Sequence, residues 1–202
     1  AAYTNRGERF EAFRYVDSNG FASYYNGEGV SMRKAFLMAP VDFTRISSNF
    51  NPNRLHPILK TKRPHKGVDY AAPKGTPVKA AGDGRVIFRG RNGGYGNCVI
   101  IQHGGNITTL YAHLSKFAGS ARKGSRVSQG QTIGYVGATG LATAPHLHYE
   151  YRLNGVHRNP RTVPLPEAAP VAAEYRDDFL QAARPLLAQL DAITPTSLAR
   201  AD

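Results

Sequence analysis

Short runs of alternating apolar and polar residues, closed by glycine or asparagine, dominate the chain. Residues 8–16 loosely alternate, Asp17-Ser18-Asn19-Gly20 reads as a turn, and alternation resumes from Phe21 to Tyr25 before Asn26-Gly27. This predicts a β hairpin. Between Gly67 and Arg152 the β-rich runs are Arg85–Arg89, Cys98–Gln102, Thr108–Leu114, Gln131–Val136 and His146–Arg152. Several short strands so spaced predict a mainly β fold, a small antiparallel sandwich or barrel. The C-terminal part changes character. Pro164, Pro166 and Pro170 mark an extended linker, and Leu180, Ala183, Leu187 and Leu190 recur at helical spacing within residues 174–190. Pro185 is expected to kink or divide that helix, which is read as a packing element without chemistry.

A short repeat supports a duplicated architecture. Lys74-Gly75-Thr76-Pro77-Val78 recurs 49 residues later as Lys123-Gly124-Ser125-Arg126-Val127, each copy followed by a glycine turn and a strand-like run. Two copies predict two similar hairpin units packed together, too few for a solenoid. The expected organisation is 1–42 as the end of an upstream β domain or a strap, 43–162 as the main domain, and 163–202 as Pro-rich linker and helix.

Composition narrows the class. The chain has 202 residues, 41% of them hydrophobic, enough for a core, and no run approaches the length of a membrane span. Residue 1 is Ala and no signal-like segment follows, which reads as a processed product or an excised piece. A solitary Cys98 excludes an internal disulfide and is expected in the core. The net charge of +12 is uneven, since residues 43–162 carry 18 Lys and Arg against 3 acids. Such a field attracts a polyanion. Nucleic acid is not the expected partner, because no recognition motif appears and the basic residues are scattered over turns.

The candidate chemistry lies in the histidines. In the strand-like run His146-Leu147-His148 residues two apart point to one face, roughly 6–7 Å apart, so both rings can address one centre. His65 and Asp69 are four apart, and fully extended their Cα atoms would stand about 13 Å apart, so Gly67 is expected to supply a bend. Two histidines and an aspartate with an open fourth position are the donor set of a catalytic zinc, whereas a structural site would call on cysteines. Zinc suits amide hydrolysis, and a proton carrier is then needed nearby. His113, in Tyr111-Ala112-His113-Leu114, is the candidate outside the His-x-His pair.

These three motifs together resemble the lysostaphin/LytM zinc endopeptidases, which hydrolyse peptide bonds in bacterial peptidoglycan. The resemblance covers about residues 43–162 and includes Gly94-Tyr95-Gly96-Asn97 and Gly134-Tyr135-Val136-Gly137-Ala138-Thr139-Gly140. It implies one Zn2+ held by His65, Asp69 and His148, with His113 and His146 unliganded as general base and transition-state stabiliser. It further implies a small antiparallel β fold with a duplicated motif and a groove across the metal. Tyr95 and Asn97 are expected to line that groove, against the alternative of a structural turn.

The flanks resemble those of Gram-negative murein DD-endopeptidases, which implies cleavage of the D-alanyl to diaminopimelate cross-link in the periplasm or cell envelope, with anionic peptidoglycan as partner. The alternatives are a catalytically silent LytM-type regulator of wall amidases and a glycyl-glycine endopeptidase. A regulatory protein or an upstream domain is a further possible partner. Among the other histidines, His103 is expected to end a strand beside a turn, and His56 and His157 to lie on the surface. Arg152, Arg158 and Arg161 are read equally as a solvated face or as substrate contacts.

Overall fold

The computed structural model describes the chain apart from residues 6–7, 19, 21, 33–34, 55–63, 105, 166–169 and 194–202; His56 and Pro166 thus lie outside the described residues. It divides into two compact units, Ala1–Ala35 with Leu165–Asp202, and Phe36–Pro164.

In the first unit β1 (Ala2–Asn5) pairs antiparallel with β2 (Glu8–Glu11), and β3 (Phe13–Val16) with β4 (Ala22–Tyr25). The β3–β4 register, Phe13 to Tyr25 and Val16 to Ala22, is the hairpin that the alternation predicts, whereas β1 carries no such signal. A helix, α1 (Arg176–Ile193), follows a 3-10 turn at Ala173–Tyr175. Phe13, Tyr15, Val171, Phe179 and Ala183 form one buried cluster, with Leu180, Leu187 and Leu190 packed against it. Two hairpins alone bury too little to be stable, and the leucine stripe of α1 supplies the missing apolar face. Of the two expected effects of Pro185, a kink or a division, division does not occur: α1 runs through it.

The second unit holds β5 (Arg45–Ser48), β6 (Val68–Ala71), β7 (Pro77–Lys79), β8 (Gly84–Arg91), β9 (Asn97–Gln102), β10 (Ile107–Ala112), β11 (Leu114–Phe117), β12 (Arg126–Val127), β13 (Thr132–Val136), β14 (His146–Leu153) and β15 (Val156–Arg158). An antiparallel sheet runs β12-β8-β9-β10-β14-β6-β5, with β15 paired to β14, and a second sheet runs β11-β13-β7. The expected run Thr108–Leu114 is two strands. It breaks at His113, whose backbone turns to a φ of 61°, so that β10 and β11 belong to different sheets. Val78, Leu114, Ile133 and Val136 of the smaller sheet and Val86, Val99, Ile101, Leu110, Tyr111, Leu147 and Tyr149 of the larger one are buried. Cys98 is buried with Leu110 and Ala112, as its apolar run implies, and burial pushes its thiol up to about 11.

The two Lys-Gly copies take equivalent positions but are not self-contained hairpins. Their second residues, Gly75 and Gly124, have φ of 94° and 89°. β7 of the first copy pairs with β13, the strand after the second copy, while β12 of the second copy pairs with β8, the strand after the first. Each copy therefore completes the other's sheet.

Candidate metal centre

The site is built on the β6–β14–β10 portion of the larger sheet. Antiparallel pairing sets His148 directly across from Asp69 on one side and from Ala112 on the other. His146, two residues before His148, shares its face, as the period of a strand requires. His65 reaches the same point from the segment before β6, whose backbone bridges to Asn51. Gly67 is needed here for closeness rather than for an unusual φ: a Cβ on it would stand 2.5 Å from the Tyr149 carbonyl oxygen and 2.8 Å from the His148 ring. No side chain fits between His65 and Asp69 at that point.

His65 Nε2, His148 Nδ1 and Asp69 Oδ1 form a triangle with edges of 3.1, 3.2 and 2.7 Å. Ligand atoms on a tetrahedral zinc stand roughly 3.3 Å apart, given metal–ligand distances of 2.0–2.2 Å. The outer nitrogens define which atoms face inward. His65 Nδ1 lies 2.7 Å from the Asn49 carbonyl oxygen, an acceptor only, so Nδ1 carries the hydrogen and Nε2 presents an electron pair. On His148, Nε2 lies 3.1 Å from Glu150 Oε1, which leaves Nδ1 for the centre. Two imidazole pairs and a carboxylate oxygen thus converge, an arrangement that calls for a cation. Among the described residues, these three are the set of metal-donor side chains so grouped.

Electrostatics agree with that demand. Burial opposes ionisation of Asp69, but the hydrogen bond from His148 and the His65 ring beside it hold its carboxyl well below the usual range. Burial opposes charge on His148 too, yet Asp69 and Glu150 lift it to about 9 in the metal-free site. A proton there stands where a cation belongs.

Glu150 was missed by the sequence reading, although His146, His148 and Glu150 are the alternate residues of one strand face. Its side chain is fully buried and is held by Tyr95 Oη at 2.7 Å, Arg152 Nη2 at 2.5 Å and Nε at 3.0 Å, His157 Nε2 at 3.1 Å and His148 Nε2. Burial would raise its pKa, but bonds from His148, Tyr95 and Arg152 bring it down to about 2. Arg152, read equally as a solvated face or a substrate contact, and His157, read as a surface group, are both committed to this carboxylate. Arg161 donates to Asn49 Oδ1 at 3.0 Å.

His113 and His146 stand beside the triangle with ring centroids 4.7 Å apart. His146 Nδ1 lies 2.8 Å from the Ala144 carbonyl oxygen, and its Nε2 lies 3.8 Å from Asp69 Oδ1. Burial lowers the pKa of His113, so the ring is neutral at pH 7. A cavity of about 500 Å³ opens over the cluster, lined by His65, Asp69, His113, His146 and His148 together with Tyr95, Arg54 and Leu141. Leu141 is 72% exposed at this rim. Asn97 is not among the lining residues; its Nδ2 donates to the Leu114 carbonyl at 3.1 Å, and its backbone N–H to Thr139 Oγ1 at 2.9 Å. His103 directly follows β9, beside the turn expected there, but is buried, bonded to the Asp83 carbonyl and Thr109 Oγ1.

Peptidase family M23 matches residues 63–160. The peptidoglycan DD-endopeptidase ShyC of Vibrio cholerae is 46% identical over 191 residues, 95% of this chain and 43% of ShyC. A zinc-containing peptidase from Vibrio cholerae has a crystal structure that superposes with a TM-score of 0.63 at 35% identity, over 82% of this chain and 50% of that one. A variant of the catalytic domain of the prophage-encoded M23 protein EnpA from Enterococcus faecalis superposes with a TM-score of 0.52 at 36% identity, over 62% of this chain and 96% of that one. The chain spans less than half the length of the curated relatives it matches.

Proposed function

The chain belongs to peptidase family M23, and on that footing we propose that it is a zinc-dependent endopeptidase that hydrolyses peptide cross-links of peptidoglycan. The convergence of His65 Nε2, Asp69 Oδ1 and His148 Nδ1 beside the imidazoles of His113 and His146 carries this reading. Those three atoms would hold one zinc ion. Bound there, zinc supplies a Lewis acid that polarises the scissile carbonyl and lowers the pKa of water.

The remaining steps belong to the protein. His113 takes a proton from the attacking water at Nε2 and returns it to the leaving amine. His146, whose ring stands beside that of His113, is the group placed to stabilise the transition state. Glu150 holds the Nε2 hydrogen of His148 and so keeps Nδ1 aimed inward. A catalytically silent regulator would have no use for all five groups.

The cross-link we assign is D-alanyl to diaminopimelate, in the envelope of a Gram-negative bacterium, supported by the DD-endopeptidase activity in the name of ShyC. Mass spectrometry of fragments released from purified sacculi tests it. Conversion of cross-linked dimers into monomeric stem peptides is expected; release from polyglycine-bridged walls alone would overturn the assignment, and no release from either wall would overturn the enzymatic reading.

A further inference from the structure

Between Asp83 and Glu150 the chain contains no acidic residue and seven basic ones, Arg85, Arg89, Arg91, Lys116, Arg122, Lys123 and Arg126. The fold gathers six of the seven along one sheet edge. Arg85, Arg89 and Arg91 lie on β8; Arg126 lies on β12, which pairs with β8 at the edge of the larger sheet, and Arg122 and Lys123 lead into it. Lys116 lies on β11 next to Phe117, whose ring centre stands 4.8 Å from the Arg89 guanidinium, but its own side chain lies over Tyr135, outside the strip. Every one is exposed.

Three features set this surface apart from an ordinary solvated face. First, the register places Arg85 directly opposite Arg126, a like-charge pair that disfavours the sheet. The partners across β9 are neutral: Gln102 for Arg85, Val99 for Arg89, Asn97 for Arg91. Second, none of the seven makes an ion pair among the described residues. Asp83, at the foot of β8, accepts the backbone N–H of Gln129 at 2.6 Å, and Glu150 is buried. Third, Arg89 over Phe117 is steadied by a ring face, which orients a cation without neutralising it. Arg85 is oriented by the Gly124 carbonyl at 2.6 Å.

The strip is also placed to serve the cavity. Arg91 precedes the Gly93–Tyr95 turn, and Gly94 and Tyr95 line the cavity wall. From Arg91 back to Arg85 the strand spans about 20 Å, so the strip runs away from the rim.

We propose that the β8–β12 edge is a docking track for the carboxylate-bearing stem peptides of the peptidoglycan strand whose cross-link enters the cavity. This rests on the function proposed above, and names where the polymer is held outside the reacting centre. Long-range attraction along such a track concentrates enzyme on the polymer without lowering the barrier to hydrolysis.

The test compares two sets of four neutral substitutions in the whole chain. One set is Arg85→Gln, Arg122→Gln, Lys123→Gln and Arg126→Gln; the control, Arg45→Gln, Lys74→Gln, Arg158→Gln and Arg176→Gln, removes equal charge elsewhere. Pelleting with sacculi reads docking, and turnover of a short soluble cross-linked peptide reads chemistry. The track set is expected to lose roughly tenfold in affinity for sacculi and to flatten its salt dependence, with peptide turnover within about twofold and a control loss several times smaller. Arg85→Lys, Arg122→Lys and Arg126→Lys together, which keep the charge, should pellet as the unaltered chain does and exclude a folding defect. Equal loss from both sets, unchanged pelleting of the track set, or tighter binding of the unaltered chain to anionic phospholipid vesicles than to sacculi would overturn the proposal. Pelleting that follows the track while no substrate is cleaved would instead overturn the enzymatic reading alone.

Discussion

The Nδ1 atom of His113 lies 2.7 Å from the carbonyl oxygen of Thr139. A carbonyl only accepts, so the ring hydrogen resides on Nδ1 and Nε2 keeps its electron pair. His113 sits there at the cost of a left-handed backbone, and the surrounding bonds hold it: its N–H donates to the Tyr95 carbonyl at 2.9 Å, and Thr139 Oγ1 donates to the Leu114 carbonyl at 2.9 Å.

Replacing either free histidine should separate chemistry from metal binding. His113→Ala and His146→Ala are expected to retain zinc and lose on the order of 10² to 10⁴ in turnover. Metal analysis beside peptide kinetics checks this; near-normal turnover of His113→Ala would remove it from the mechanism.

The three convergent donors behave oppositely. His65→Ala, Asp69→Ala and His148→Ala should each lose zinc or bind it far more weakly, and a chelator should abolish activity of the unaltered chain. Full zinc in His148→Ala with loss in His146→Ala would mean that the two ends of that motif have exchanged roles.

Glu150→Gln tests the buried carboxylate behind His148. Loss of this support is expected to weaken zinc binding by about 10- to 100-fold, read by competition with a chromophoric chelator. Unchanged affinity would reduce Glu150 to a partner of Arg152, His157 and Tyr95.

Acidity acts on the metal-free chain through His148. Its pKa is raised from 6.5 to about 9, so its contribution to stability is complete below pH 6.5 and is lost as pH rises through 9. The melting temperature with chelator should fall over that range. With zinc the fall should largely vanish, because the metal takes the proton's place. Burial lowers His113 instead, so the acid limb of turnover should lie below pH 6.5.

Much of this site was legible because its residues obey periodicities that survive without coordinates. His146-Leu147-His148 is a period-two pair, and the glycine-bounded runs placed β8, β9, β13 and β14 close to their observed limits. Glu150 was equally visible on that pattern, but an acid on a strand reads as solvent-facing until Tyr95 and His157, from two other segments, are seen to hold it. The tautomers of His65 and His113 depend on carbonyls of Asn49 and Thr139, and a carbonyl has no signature in side-chain identity. Similarly, the reach of His65 to Asp69 rests on the space beside Gly67, which only the neighbouring strand defines.

The crossed pairing of β7 with β13 and β12 with β8 bears on how the chain finds its fold. Neither half can close its own sheet edge, so the second Lys-Gly copy must be complete before the first is stabilised. Contacts spanning some fifty residues have to form together, a topology that folds slowly and in one cooperative step. A chain cut between β10 and β11 would therefore give two fragments that are unstructured apart and regain structure only when mixed.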